Sequence, residues 1–470
     1  MKSFLSLATP FLLLAATSVA AVGPDYRRPD VATPVAWKMA ASAGTLPRGD
    51  WWISYRDATL DDLVARALRS NQDLVAAAAR VDQARAAAGL ARSDYFPSVA
   101  AGAAANRGRT SGTTDNVFPR QQTTTDSVGL NAAWELDFFG RVRRLNESAR
   151  AGAAASAADF ASLRLAVGAE VAADYFSLRA VEREAALVAD GVELRRRALE
   201  LVSARRSNGA ATDFDVARAE TELASTEAEV AALANRRAAL QDALAVLLGE
   251  PAPDFELPPA GTPLPGPVAV PAGLPSELLE RRPDIAAAED ALAAANARIG
   301  VAKAAFFPAL SLTGAAGFAS GDIDRLFNSD SRTWSIGPSL YLPVFQGGRN
   351  RANLERSRAA YEESVAHFRS RVLVAFREVQ DALTAAQLLA DQAGAQDRAL
   401  ASARRAGSLA QTRYDAGYVN YFEVIDAQRT VLANERVSVQ LNAQRLLASV
   451  ALIKALGGGW DAGTAVAALR

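Results

Sequence analysis

The chain has 470 residues, and its 51 Lys and Arg against 52 Asp and Glu leave a net charge of −1, which gives no footing for nucleic-acid binding. It holds no cysteine and one histidine, His367, so disulfides, thiolate metal sites, a zinc centre and a Ser-His-Asp triad all lack material. The carboxylates are scattered along helical patterns, so no catalytic residue, metal or cofactor is expected.

Met1 to Ala20 reads as a secretory signal: Lys2 supplies the positive start, Phe4 to Val19 the short apolar run, and Ser18-Val19-Ala20 the small residues for cleavage. No other stretch is long and apolar enough for a membrane helix. Residues 21–56, rich in proline and carrying Trp37, Trp51 and Trp52, read as an extended N-terminal segment packed over the outside of something larger. Leu60, Leu63, Val64, Ala67 and Leu68 then follow helical spacing, and an alanine-rich helix from Asn71 ends before Pro97.

The period now changes to 2. Along Ser127–Leu136, Val128, Leu130, Ala132, Trp134 and Leu136 share one face, while Ser127, Gly129, Asn131, Ala133 and Glu135 share the other. Such a strand, apolar on one side and small or polar on the other, suits a membrane β-barrel. Ser98 to Asn106 reads as its partner, and Arg107 to Asp126 as a polar exterior loop. Leu310, Leu312, Ala316 and Phe318, then Trp334, Ile336, Leu340 and Leu342, repeat the alternation around a loop from Ser320 to Arg332. Small residues such as Ser311, Thr313, Ser335 and Ser339 occupy the opposite face.

After each hairpin the chain turns through glycine, at Gly140 and at Gly347-Gly348, into a proline-free helical pattern: Arg141 to Arg206 and Arg349 to Tyr414. Each would be roughly 100 Å long as one helix. Return helices run from Thr212 to Leu248 and from Asn420 to Leu456. Ile425, Leu432, Val439, Leu446 and Ile453 recur every seven residues, which implies a left-handed coiled coil. Their counterparts Ala217, Ala224, Ala231, Ala238 and Ala245 suggest that small seams oppose large ones.

These correspondences rest on a repeat. Arg205 to Glu220, turning at Gly209, matches Arg413 to Arg429, turning at Gly417, with a shift of about 208 residues that also aligns Phe214 with Phe422 and Gly249 with Gly457. The organisation expected is a signal at 1–20, the segment 21–56, repeat 1 at 57–250 and a proline-rich linker at 251–275. Repeat 2 follows at 276–457, and a tail at 458–470. Repeat 1 holds a β-hairpin at about 98–136 and a helical hairpin at 141–248; repeat 2 holds the same at about 309–342 and 349–456. The smallest membrane barrels have about eight strands, so four cannot close one and several chains must pool theirs.

Val22-Gly23-Pro24-Asp25-Tyr26 with Pro29, Leu278 to Ile285 followed by Glu289, Ala305 to Ala309, and Tyr414 to Arg429 together resemble the TolC-like outer membrane factors, in particular the NodT/OprM-type branch that serves RND pumps. The resemblance spans the mature chain. It implies a mainly α fold with a membrane β-barrel, in which a homotrimer pools its strands into a twelve-stranded barrel above an α-barrel of coiled coils. It also implies the outer membrane duct of a tripartite efflux pump, working with a periplasmic adaptor, an inner-membrane RND transporter and outer membrane lipid. A type I protein secretion duct is the alternative within the fold, and a pore-free periplasmic scaffold the alternative outside it. Close relatives carry a lipid-bearing cysteine before Val-Gly-Pro-Asp-Tyr; Val19-Ala20-Ala21 stands there in this chain, so no lipid anchor is expected. By the same resemblance Phe422, Asp426 and Arg429, on one helix face at i, i+4 and i+7, match the periplasmic gate. Gly209, Asp213, Tyr414 and Gly417 are expected at the adaptor-contacting tips. An ordinary Asp426–Arg429 surface pair is the plainer reading of that helix face.

Overall fold

In a computed structural model, residues 21–39, 49–111, 122–259, 264–273 and 275–460 are described. The signal and most of the C-terminal tail lie outside them. The chain divides into two compact units. The first takes residues up to Asp30, Val81–Ser156 and Ala288–Phe368; the second takes Val31–Arg80, Ala157–Ala287 and the chain from Arg369 onward.

The elements run α1 (Ala58–Ser70), α2 (Gln72–Ser93), β1 (Ser98–Arg109), β2 (Gln122–Leu136), α3 (Arg141–Ser207), α4 (Asp213–Leu248), α5 (Leu278–Arg281), α6 (Pro283–Ala304), β3 (Ala309–Ser320), β4 (Arg332–Tyr341), α7 (Arg349–Asp415) and α8 (Tyr421–Ala455). α3 and α7 are each 67 residues long.

The first unit carries an antiparallel sheet of order β1-β2-β3-β4. β1 and β2 pair from Ser98↔Ala133 to Arg109↔Gln122, so the ladder extends into the stretch read from sequence as loop. Polar Thr and Arg side chains do not oppose strand pairing when both strands are exposed; they hide it from a hydrophobic pattern. The register puts Val128, Leu130, Ala132, Trp134 and Leu136 on the same face as Phe318, Ala316, Gly314, Leu312 and Leu310. Trp334, Ile336 and Leu340 of β4 join that face. Gly129 faces Gly317, and a Cβ on Gly129 would lie 2.9 Å from the Ala316 carbonyl oxygen, so the two hairpins meet at a glycine contact. β1 and β4 each keep one unpaired edge within the chain.

The second unit is helical. Residues 21–39 have no helix or strand, but Trp51–Tyr55 forms a 3-10 turn with Trp51, Trp52 and Tyr55 buried, which corrects the expectation of an outer, extended segment at its C-terminal end. The aromatic rings are the cause: Tyr55 packs against Phe176 at 4.9 Å with the rings tilted by 58°, and its hydroxyl lies 2.6 Å from Ser449 Oγ. Asp57 caps α1 by accepting from the Thr59 and Leu60 amides, and its second oxygen accepts from Tyr175 at 2.7 Å.

The heptads of the return helices differ from expectation. On α8, Leu446 and Ile453 are fully buried. On α4, Ala217, Ala224, Ala231 and Ala238 are exposed within the chain while Ala245 is buried as expected; the buried row before it is Ala219, Thr226 and Leu233, two residues on. Leu233 packs with Val181 and Val188 of α3. At the Leu233 step the larger side chain takes the core position because it buries more apolar area than Ala231 would.

Candidate functional site at the paired helix turns

Both helix-to-helix turns belong to the second unit. Each outgoing helix stops at a glycine in the left-handed region, Gly209 at φ 75° and Gly417 at φ 78°. The Ala210 amide donates to the Arg205 carbonyl at 2.8 Å and the Tyr418 amide to the Arg413 carbonyl at 2.9 Å, the closure of a Schellman motif. A Cβ on either glycine would meet nothing within 4 Å, so backbone conformation rather than packing requires glycine. Each return helix then starts on a cap. Thr212 and Asp215 form a reciprocal capping box, and Asn420 accepts from the Glu423 amide at 3.3 Å.

Side chains close the turns in two ways. In the first, Arg206 donates from Nε and Nη2 to the two oxygens of Asp213, at 2.7 and 3.1 Å. Those hydrogen bonds, and then the guanidinium charge, hold the Asp213 carboxyl below its ordinary range. In the second, Tyr414 and Tyr421 pack at 5.1 Å between ring centroids. Burial raises the Tyr421 hydroxyl above its usual value, helped by Tyr414. Arg205 ties the two turns together: it donates to the Tyr414 hydroxyl at 2.7 Å, and its guanidinium lies 5.6 Å from that ring's centre.

On the first turns of α8, Phe422 is covered by the Arg218 guanidinium at 5.0 Å, whereas its repeat counterpart Phe214 is 73% exposed. The plain Asp426–Arg429 pair does not form. Arg429 donates instead to Glu222 of α4 at 3.4 Å, because the neighbouring helix offers a carboxylate that also faces Arg195 at 3.8 Å. Asp426 has no side-chain partner among the described residues. Seven residues further along both helices the contact recurs, with Arg436 on Glu229 at 2.7 Å and on the buried Glu184 at 2.9 Å. The sequence signal for this ladder was opposite charge at matching heptad steps, Glu222 and Glu229 against Arg429 and Arg436; reading the apolar heptad alone passes over it.

A four-stranded sheet with one apolar and one small-residue face, carried with two very long helical hairpins, defines the TolC-like outer membrane channels. The chain belongs to the outer membrane efflux protein family, whose model matches residues 63–250 and 274–458. It is 37% identical over 466 residues to the outer membrane protein OprJ of Pseudomonas aeruginosa, covering 98% of this chain and 97% of that one. It is 34% identical over 462 residues to the cation efflux system protein CusC of Escherichia coli, covering 96% and 98%. The open-state crystal structure of the MtrE outer membrane channel of Neisseria gonorrhoeae superposes with a TM-score of 0.82 at 32% identity, covering 93% of this chain and 98% of that one. The protein is thus an outer membrane exit duct of a tripartite efflux pump, in the bacterial outer membrane.

Proposed function

We propose that three copies of the chain form the working duct, each giving four strands to one barrel and its long helices to a water-filled α-barrel. The observation that carries this is the sheet: one face is mainly apolar, the other is Ser, Thr, Gly, Ala and Asn with Glu135 and Tyr341 at the helical end, and both outer strands have an unpaired edge. In lipid an unpaired edge costs several kcal/mol per backbone group, and closure across copies removes it. Light scattering in mild detergent is expected to give a trimer; a folded monomer overturns the reading.

The duct conducts passively and catalyses nothing, and its partners are a periplasmic adaptor and an inner-membrane transporter of RND type. CusC carries cation efflux in its name and TtgI toluene efflux; small toxic compounds of this kind are the cargo proposed here. Gly209, Asp213, Tyr414 and Gly417 form the tips that meet the adaptor. Gly417→Trp is expected to abolish efflux at unchanged trimer yield, and full efflux in that variant removes the docking role. Phe422, Asp426 and Arg429 form the gate. Arg429 is held by Glu222 of its own chain, which leaves the Asp426 carboxylate for a neighbouring copy. Asp426→Ala with Arg429→Ala is expected to raise single-channel conductance in planar bilayers. An unchanged resting conductance leaves an ordinary surface cluster.

A further inference from the structure

On the apolar face of the sheet, the register arranges the side chains in rows. From the row of Leu136 and Leu310 to the row of Val128 and Phe318 there are eight residue steps along β2, or about 27 Å. At the barrel-strand tilt of about 35–45° that is roughly 20 Å across the membrane, most of the apolar band of about 25 Å expected of a membrane barrel. The charged residues of this face are Arg107, Arg109, Asp126 and Arg332, and all four lie at one end. Arg332 shares the last apolar row, opposite Phe318; Asp126 is one row beyond, Arg107 two and Arg109 three.

This end is the hairpin end. The helices join the strands at Ser98, Leu136, Ala309 and Tyr341, and the strand ends Arg109, Gln122, Ser320 and Arg332 lie at the opposite end. With the helices periplasmic, the arginines stand at the outer leaflet, level with its headgroups. All three are exposed, and none has a side-chain hydrogen-bond or ion-pair partner among the described residues. By contrast, Arg141 and Arg143, at the helical end, are held by Glu135 and Asp137. Arg332 and Arg107 also lie on β4 and β1, the two open edges of the sheet, which closure across copies would join.

We propose that Arg107, Arg109 and Arg332 form an outward-facing docking site for the phosphates of the outer-leaflet glycolipid, a phosphorylated glucosamine lipid. The acyl chains would run down the apolar rows while the guanidinium forks take the phosphate oxygens, a geometry that arginine matches and that pays for the band ending in three cations. Asp126 lies among them and leaves the cluster net positive, with one carboxylate available to share a headgroup hydroxyl. The site rests on the outer membrane location; juxtaposition of Arg332 with Arg107 rests also on trimer closure.

The experiment is native mass spectrometry of the purified full-length protein, released from mixed micelles containing lipid A, dephosphorylated lipid A or phosphatidylglycerol. Retention of lipid A at least fivefold above the other two is expected. R107Q/R109Q/R332Q is expected to lose that excess, R107K/R109K/R332K to keep most of it, and R351Q, on the exposed start of α7, to be unchanged. Equal lipid A retention by the wild type and the Gln triple overturns the site. Equal retention of phosphatidylglycerol by the wild type overturns the glycolipid in favour of a general anionic-lipid contact. If the Gln triple yields too little protein, R332Q and R107Q/R109Q carry the same comparison. Trimer yield, measured alongside, separates failure of the site from failure of closure.

Discussion

The two repeats solve one structural problem with different chemistry. Each return helix ends on a glycine, Gly249 at φ 72° and Gly457 at φ 88°, and a side chain on either would run into a carbonyl oxygen, that of Ser70 or Arg281. Each last turn also offers a carbonyl that a buried side chain must satisfy. In repeat 1, Asn71 donates to the Leu247 carbonyl at 3.0 Å; in repeat 2, Arg282 donates to the equivalent Ala455 carbonyl at 2.8 Å. The arginine brings a charge, so it recruits Asp284 through two bonds at 2.9 and 2.8 Å and Glu378 at 2.7 Å. The difference teaches that the backbone joint is fixed by the repeat while the polar group filling it is free to change. The choice of group then decides how the joint responds to pH and salt.

Removing each donor sharpens that contrast. Arg282 is buried and its loss strands two carboxylates, so Arg282→Ala is expected to destabilise by about 3 kcal/mol. Asn71→Ala leaves one carbonyl and one amide unpaired and is expected to lose about 1–2 kcal/mol. Thermal melting of the helical signal gives the order, and equal losses would break the comparison. Acid separates the two joints further. Burial raises the Asp284 carboxyl, but the Arg282 bonds and charge outweigh it and hold the group below the usual range. A depressed carboxyl stabilises above its unfolded value and loses that contribution as pH falls through the folded one. The Arg282 joint is therefore expected to weaken below about pH 4, while the Asn71 joint does not.

The sequence exposed the joint without its filling. Gly249 and Gly457 align by counting, and the long proline-free runs predict α3 and α7 to within a residue at their ends, because nothing in either run interrupts a helix. Arg282 lies inside the Leu278–Ile285 motif, yet its partner Glu378 is far away in sequence and carries no local mark. The same blindness affected the tips. Gly209 and Gly417 were legible as helix stops, whereas the switch of Arg429 from Asp426 to Glu222 depends on which helix packs beside α8. Strand ends failed in the other direction: β1 and β2 run on through Arg107, Arg109 and Thr123, where pairing continues after the hydrophobic alternation has stopped.

A smaller difference lies midway along the outgoing helices. Asp174 of α3 aligns with Ala382 of α7, which is buried. Burial, and then the neighbouring Glu170, push the Asp174 carboxyl up to about 6. A raised carboxyl binds its proton more tightly when folded, so it lowers stability progressively as pH rises from about 4 to 6 and by a constant amount above. Asp174→Ala, which copies repeat 2, is expected to stabilise by about 1 kcal/mol at pH 7.5 after allowance for partial exposure, and by nothing measurable at pH 4. Melting at the two pH values checks it; stabilisation of equal size at both would assign the gain to helix propensity instead.

The smallest effects are expected at the tips, where the repeats trade an ion pair for a ring pair at the same two positions. Arg206 and Asp213 align with Tyr414 and Tyr421. The ion pair is fully solvated, so water and salt screen it and the capping box beside it holds the helix start without it. The tyrosine pair is half-buried and also receives Arg205, so it carries about 0.5–1.5 kcal/mol of ring contact. Tyr414→Ala is therefore expected to lower the melting temperature slightly, and Asp213→Ala to leave it unchanged in low or high salt. Replacing Arg206 and Asp213 together by tyrosine should leave the fold intact and make both turns aromatic. If Asp213→Ala instead destabilises more than Tyr414→Ala, the ion pair is acting through a contact outside the single chain, and the adaptor-facing surface is then centred on the first turn rather than shared by both.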